Sequence, residues 1–266
     1  MSSTYTATDA AAYERLMGRW SPLLADALIA FAGLGAGETV LDLGCGTGSL
    51  ALALARRSEP RRILGIDIAR PYIDYAASLS DDPRLDFRVG DAAALALADG
   101  AVDRSFSLLA LNFMPAPERA LEEMRRVTRP GGCVAAAVWD FAGGLVYQRI
   151  FWDTAAALDG DAARARARQL SSPLTRAGAL EAAFHAAGLT QVTARTLTIR
   201  QSFRDFADYW QPIRNAQGPV GDYVKRLTPE RLAALEAALR GAYCAGAADG
   251  PLSLAASAWA AKGIVG

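Results

Sequence analysis

The chain has 266 residues and carries 28 Lys and Arg against 28 Asp and Glu, a formal net charge of zero. Proteins that grip a duplex hold a basic surplus for its phosphates, so nucleic acid is not an expected partner. With 52 % apolar and 21 % charged residues, the chain is expected to be ordered, as one large domain or a domain with a small appendage.

The first periodic stretch runs from about Thr8 to Phe31, where Tyr13, Leu16, Met17, Trp20, Leu24, Leu28 and Phe31 recur at helical spacing. Pro22 lacks the N–H that a helix interior needs and divides the stretch into two helices joined near residues 19–21. A β-rich run at 39–43 then stops at glycines, and an Ala- and Leu-rich helix follows at 49–57. The alternation continues with strands at 62–68, 85–89 and 102–111 and helices at 71–79 and 117–127. Arg129-Pro130-Gly131-Gly132 stops the last helix and turns the chain into a fifth strand at 133–139. Arg104 and Ser105 stand out, because a central parallel strand is apolar on both faces. Either the strand starts later, or Arg104 snorkels to solvent.

Beyond Trp139, helices are expected at 145–158, 162–170 and 180–187, with Arg164, Arg166 and Arg168 on a solvated side of the second. Strands at 191–200 and 252–259 flank two or three helices within 203–243, broken near Gly218-Pro219 and Thr228-Pro229. The pattern predicts an α/β fold: a doubly wound, Rossmann-like, seven-stranded, mostly parallel sheet with helices on both faces and helical lid insertions. Residues 1–35 read as a helical cover, 36–140 as the cofactor-binding core, and 141–266 as the rest of the sheet with a helical substrate cap, all in one domain.

Cys45, Cys133 and Cys244 are odd in number, far apart and without C-x-x-C or Cys/His spacing, so neither a disulfide framework nor a metal site is expected. The N-terminus has no basic stretch ahead of an apolar core, and no apolar run reaches the roughly 18–20 residues of a membrane span. The expectation is a reduced, cytoplasmic protein with no membrane partner, as a monomer or homodimer.

Val40-Leu41-Asp42-Leu43-Gly44-Cys45-Gly46-Thr47-Gly48 leads a strand into a glycine loop and then a helix. Missing Cβ atoms let backbone N–H groups approach a ligand, and the helix adds its positive end. A dinucleotide fingerprint needs a third Gly beyond Gly46, at position 49, where Ser49 stands, and Asp42 would repel a pyrophosphate while suiting an amino group. Asp67, 25 residues after Asp42, ends the second strand beside the loop, placed for both hydroxyls of a ribose; the plainer role is a helix cap. Asp91 closes the third strand, where it suits the exocyclic amine of adenine or an N-cap, and small Ala92 leaves room for the ring. Three acids at successive strand ends around such a loop describe a nucleoside that carries an amino acid rather than phosphates. S-Adenosylmethionine is that ligand.

On these residues the sequence resembles the class I S-adenosylmethionine-dependent methyltransferases, well over about 13–139 and in outline beyond. Within them it looks most like the small-molecule group that includes quinone C-methyltransferase-like enzymes. The resemblance implies that Asp42, Gly44, Cys45, Gly46 and Gly48 form the loop around the methionine part of the cofactor. It places Asp67, with Ile68 beside it, at the ribose, Asp91 and Ala92 at the adenine, and Leu109 and Asn112 against the methionine moiety. Arg19 lies in a segment similar to one that folds over the cofactor, where it would pair with the carboxylate unless it sits on a solvated helix face.

The activity so implied is in-line methyl transfer to the O, C or N of a small, apolar or aromatic, uncharged acceptor. A base is needed only if the nucleophile keeps its proton at neutral pH, and Tyr13, Asp140 and Tyr147 are the candidates by position. His185, the single histidine, precedes a helix C-terminus, where it suits the dipole more than chemistry. Two alternatives stay open: a protein that binds the cofactor on this scaffold without transferring methyl, and an NAD-dependent oxidoreductase, which Ser49 and Asp42 disfavour.

Overall fold

A computed structural model describes residues 10–57, 60–216 and 218–266; Thr8, where the first helix is expected to begin, lies outside them. The strands are β1 (Thr39–Leu43), β2 (Arg62–Asp67), β3 (Leu85–Val89), β4 (Val102–Leu108), β5 (Thr128–Trp139), β6 (Thr190–Phe203) and β7 (Leu252–Ile264). They form one seven-stranded sheet in the order β3-β2-β1-β4-β5-β7-β6. The first five are parallel, and β7 runs antiparallel between β5 and β6.

Side chains alternate across the sheet with the period of two that a strand imposes. In β1, Val40 enters one apolar layer, and Leu41 and Leu43 enter the other. The first layer takes Leu24 and Leu28 of α2 (Ser21–Ala32) and Leu50 and Leu54 of α3 (Ser49–Arg57). The second takes Leu121 and Met124 of α5 (Pro117–Val127) and Phe184 of α8 (Ala179–Ala186). Strand order reverses between β1 and β4, so their carboxyl ends open the crevice in which sheets of this kind bind ligands.

The remaining helices are α1 (Ala10–Tyr13), which continues as a π-helical turn over Glu14–Gly18, α4 (Arg70–Ser78), α6 (Val146–Leu158), α7 (Gly160–Leu170), α9 (Phe206–Arg214), α10 (Gly218–Val224) and α11 (Pro229–Cys244). Much of the aromatic content after β5 is core: Phe151, Trp152, Phe206, Tyr209 and Trp210 are all buried. Their rings pack edge-on, tilted or stacked against one another and Tyr223.

Several boundaries differ from the sequence expectation. β4 stops at Leu108 rather than at 111, because Leu109 turns to φ +61° and a 3₁₀ turn, Leu111–Phe113, follows. β5 begins at Thr128, so Arg129-Pro130-Gly131-Gly132 is the irregular start of a strand and not a free turn. Gly131, at φ +73°, donates its N–H to the Val265 carbonyl at 2.8 Å. β6 extends to Phe203, and β7 runs on past Trp259 to Ile264. The extra length of β7 is Ala-Ala-Lys-Gly-Ile, most of it poor in strand propensity, held by antiparallel pairing to both neighbours.

Arg104 and Ser105 belong to β4 after all, and neither reaches solvent by snorkelling. The Arg104 guanidinium forks onto Glu38 at 2.9 and 3.0 Å and touches the Ala32 carbonyl, while buried Ser105 shares a hydrogen bond with Thr128 at 2.6 Å.

Candidate active site

The loop after β1 is fixed by its own backbone. Gly44 takes φ +71°, and a Cβ there would stand 2.4 Å from the Ala110 Cβ, so no larger residue fits beside the end of β4. The N–H groups of Gly44 and Cys45 both donate to the Ile66 carbonyl, at 2.7 and 3.1 Å, and Gly48 donates to Cys45 at 2.9 Å. Gly46 donates to Asp67 Oδ2 at 3.0 Å. These four donors are therefore engaged inside the protein. A phosphate cradle needs them free.

The acids at the strand ends occupy three different environments. Asp42 is wholly buried; Oδ2 accepts the Ala51 N–H at 3.1 Å, and Oδ1 has no partner. Burial, with a smaller push from Asp67, lifts its carboxyl to about 7 against the opposing Ala51 bond. Asp67 accepts from Gly46 and, through Oδ1, from Ala69 at 2.8 Å, and burial still pushes its carboxyl above the usual range. Asp91 is exposed and caps its own turn, accepting the Ala93 N–H at 2.8 Å.

All three acids line a single cavity of about 1240 Å³. Sites for one small molecule enclose roughly 300–1,000 Å³, so there is room for two ligands side by side. Gly44, Cys45, Gly46, Ile68, Ala92 and Leu109 line it too, as does Tyr13, whose ring packs 5.6 Å from that of Tyr72. Leu109 is a non-glycine residue held in left-handed backbone on this wall, a strain of about 1–3 kcal/mol of the kind that collects at functional sites. Phe113, Trp139 and Phe141 add an apolar wall, and α7 and α10 close the cavity from the cover side.

Five expected site residues lie elsewhere. Gly48, at φ +89°, turns toward Ala76 and Phe87, where its missing Cβ serves packing. The Arg19 guanidinium bonds Asp208 at 2.9 and 3.1 Å and the Ser202 carbonyl at 2.9 Å, and lies over the Trp20 and Phe203 rings. Asn112 is buried off the cavity wall with its side-chain amide unpartnered. Asp140 accepts from the Ala142 and Gly143 N–H groups in a turn. Tyr147 is a core residue whose hydroxyl meets Met17 Sδ at 3.4 Å and accepts from Gln148 at 3.0 Å.

Other residues enter that sequence reasoning passed over. Thr47 donates to Glu14, which straps the N-terminal turn onto the glycine loop. Arg164 and Arg168 are exposed, as expected, and at the same time line the cavity with Gln148, Gln169 and Arg226. Helical spacing marks which residues share a face of α7, but not what that face meets.

Residues 41–136 match the family described as "Methyltransferase domain". That stretch carries the glycine loop and the strand-end acids Asp42, Asp67 and Asp91. Among curated relatives, the demethylmenaquinone methyltransferase of Paenarthrobacter aurescens is 35 % identical over 124 residues, covering 45 % of this chain and 44 % of that one. The methyltransferase domain is thus shared with relatives of which the match spans less than half the length. Among solved structures, the Haemonchus contortus phosphoethanolamine N-methyltransferase 2 in complex with phosphomonomethylethanolamine and S-adenosylhomocysteine superposes with a TM-score of 0.61 at 16 % identity, over 99 % of this chain and 58 % of that one. The [4+2]-cyclase SpnF does so with a TM-score of 0.55 at 23 % identity, over 100 % of this chain and 88 % of that one. These two likenesses are of fold.

Proposed function

We propose that the protein is an S-adenosylmethionine-dependent methyltransferase acting on a small acceptor with an apolar or aromatic body. The observation that carries this is the pairing of strand-end acids, one with an unpartnered buried oxygen, with a glycine loop whose N–H groups are already engaged. Such a site offers acceptors to the amine and hydroxyls of an adenosyl amino acid and little to a pyrophosphate. The same ledger removes the support for an NAD-dependent oxidoreductase.

In this reading Asp42 faces the ammonium end, Asp67 the ribose hydroxyls and Asp91 the adenine amine. When bound, the cofactor supplies an electrophilic methyl on a sulfonium. Leu109, Phe113, Trp139 and Phe141 exclude water and hold the acceptor in line, and alignment with desolvation supplies several kcal/mol of such a reaction. Asp140 and Tyr147 are both engaged away from the cavity. Tyr13 is then the base candidate that remains on the wall, for acceptors that keep a proton.

The likeness to a [4+2]-cyclase supports one second reading, in which the same scaffold binds the cofactor without transferring its methyl. Incubation of the protein with S-adenosylmethionine and a panel of small phenols, quinols and amines, read by mass spectrometry, separates the two. Acceptor-dependent formation of S-adenosylhomocysteine supports transfer. Cofactor binding without turnover on any acceptor supports the second reading.

A further inference from the structure

Four arginines line the cover side of the cavity: Arg164 and Arg168 of α7, Arg226 just after α10, and Arg231 of α11. Two are neutralised within the cover, Arg164 by Asp161 and Arg231 by Asp159 at 2.8 Å. Arg166, on the same helix as Arg168, pairs with Asp153 at 2.6 Å. Among the described residues, no acid stands within ion-pair distance of the Arg168 and Arg226 guanidinium groups, both of them exposed. Asp222, which lines the same wall, has no cation within that distance among the described residues either, so these three groups together leave a positive charge at the cover.

An unpaired arginine on a solvated face is ordinary and contributes little. These two differ in place, since they stand on the wall of a cavity whose opposite, strand-end side presents Asp42, Asp67 and Asp91. The cavity is therefore polarised, with acids at the sheet and guanidinium forks at the cover. A guanidinium recognises planar or tetrahedral oxyanions through two parallel N–H bonds, which makes it a positional as well as an electrostatic anchor.

From the proposed methyltransferase reading, on which this step rests, we infer that the acceptor carries a carboxylate or phosphate, held by Arg168 and Arg226 at the cover end. The strand-end acids repel that group, so its apolar body points along Phe113 and Phe141 toward the sheet and presents the atom to be methylated. This departs from the uncharged acceptor expected from the sequence.

The test is calorimetric binding of phenylacetate and phenyl phosphate, against the neutral isostere phenylacetamide, to the full chain saturated with S-adenosylhomocysteine. At least one anion is expected to bind about tenfold or more tightly than the amide, the increment of a charged hydrogen bond. R168A and R226A are each expected to erase most of that preference with S-adenosylhomocysteine binding unchanged, and R168K to keep part of it. Which anion binds better identifies the group. Equal binding of anion and amide, a preference that survives the double substitution, or no anion binding at millimolar concentration overturns the inference. Failure of S-adenosylhomocysteine itself to bind overturns the cofactor reading, and the inference with it.

Discussion

Asp67, at the end of β2, accepts the backbone N–H of Gly46 at 3.0 Å, and this bond ties the second strand to the loop that follows the first. The same carboxylate holds Ala69 through its other oxygen at 2.8 Å. One side chain thus fixes both the glycine loop and the entry to α4. An amide at this position has a single acceptor, so Asp67→Asn must release one of the two N–H groups. The variant is expected to lose about 1–2 kcal/mol of stability in urea melts and to bind S-adenosylhomocysteine more than tenfold more weakly. Unchanged affinity in a normally folded variant would remove Asp67 from the ligand site.

Asp42 gives a pH signature with a defined sign. Its carboxyl sits at about 7 in the fold against 3.8 for the free group. Between those values the unfolded chain releases a proton that the folded chain retains, so this group's contribution to stability falls as pH rises from about 4 to 7, then levels. Asp42→Asn lacks the slope. In ligand-free melts the variant is expected to gain on the wild type across this window and hold a constant lead of several degrees in Tm above it. Binding of S-adenosylhomocysteine by the wild type should strengthen as pH passes 7 from below, and the variant should lack that rise. Parallel stability curves for the two proteins would contradict the assignment.

Most of the sheet was legible because its signals are local. Short apolar runs ending at glycine or aspartate marked β1, β2, β3 and β5, and the strand-end acids followed from where those runs stop. The π-helical turn and the longer β7 were not, since one depends on packing against the loop and the other on pairing partners distant in sequence. Arg19 shows the limit most clearly. Its acid, Asp208, is 189 residues away, and no pattern near Arg19 distinguishes a protein partner from a ligand. The same holds for Asn112, which lies beside the expected wall but is turned into the interior.

The Arg104–Glu38 pair, with side chains only 16 and 14 % exposed, joins the middle of the sheet to the loop before β1. Burial is the largest single influence and would raise the Glu38 carboxyl, yet the Arg104 hydrogen bonds and charge together with a backbone hydrogen bond from Gly35 outweigh it and hold the carboxyl below its usual value. Arg104→Leu leaves Glu38 part-buried without its cation, and is expected to cost about 2 kcal/mol near neutral pH. A depressed carboxyl stabilises the fold above its unfolded pKa and loses that contribution as pH falls through the folded one. The gap between variant and wild type should therefore narrow below about pH 4. Denaturant melts at neutral and acidic pH check both points, and a gap independent of pH would show that packing and not charge is responsible.

The most direct test of the central claim is isothermal calorimetry of the full chain with S-adenosylhomocysteine and, separately, with NAD. The site described here predicts one S-adenosylhomocysteine bound per chain and no measurable heat from NAD, because the loop N–H groups that a pyrophosphate would need are already bonded within the protein. Saturable binding of NAD with none of S-adenosylhomocysteine would contradict the account.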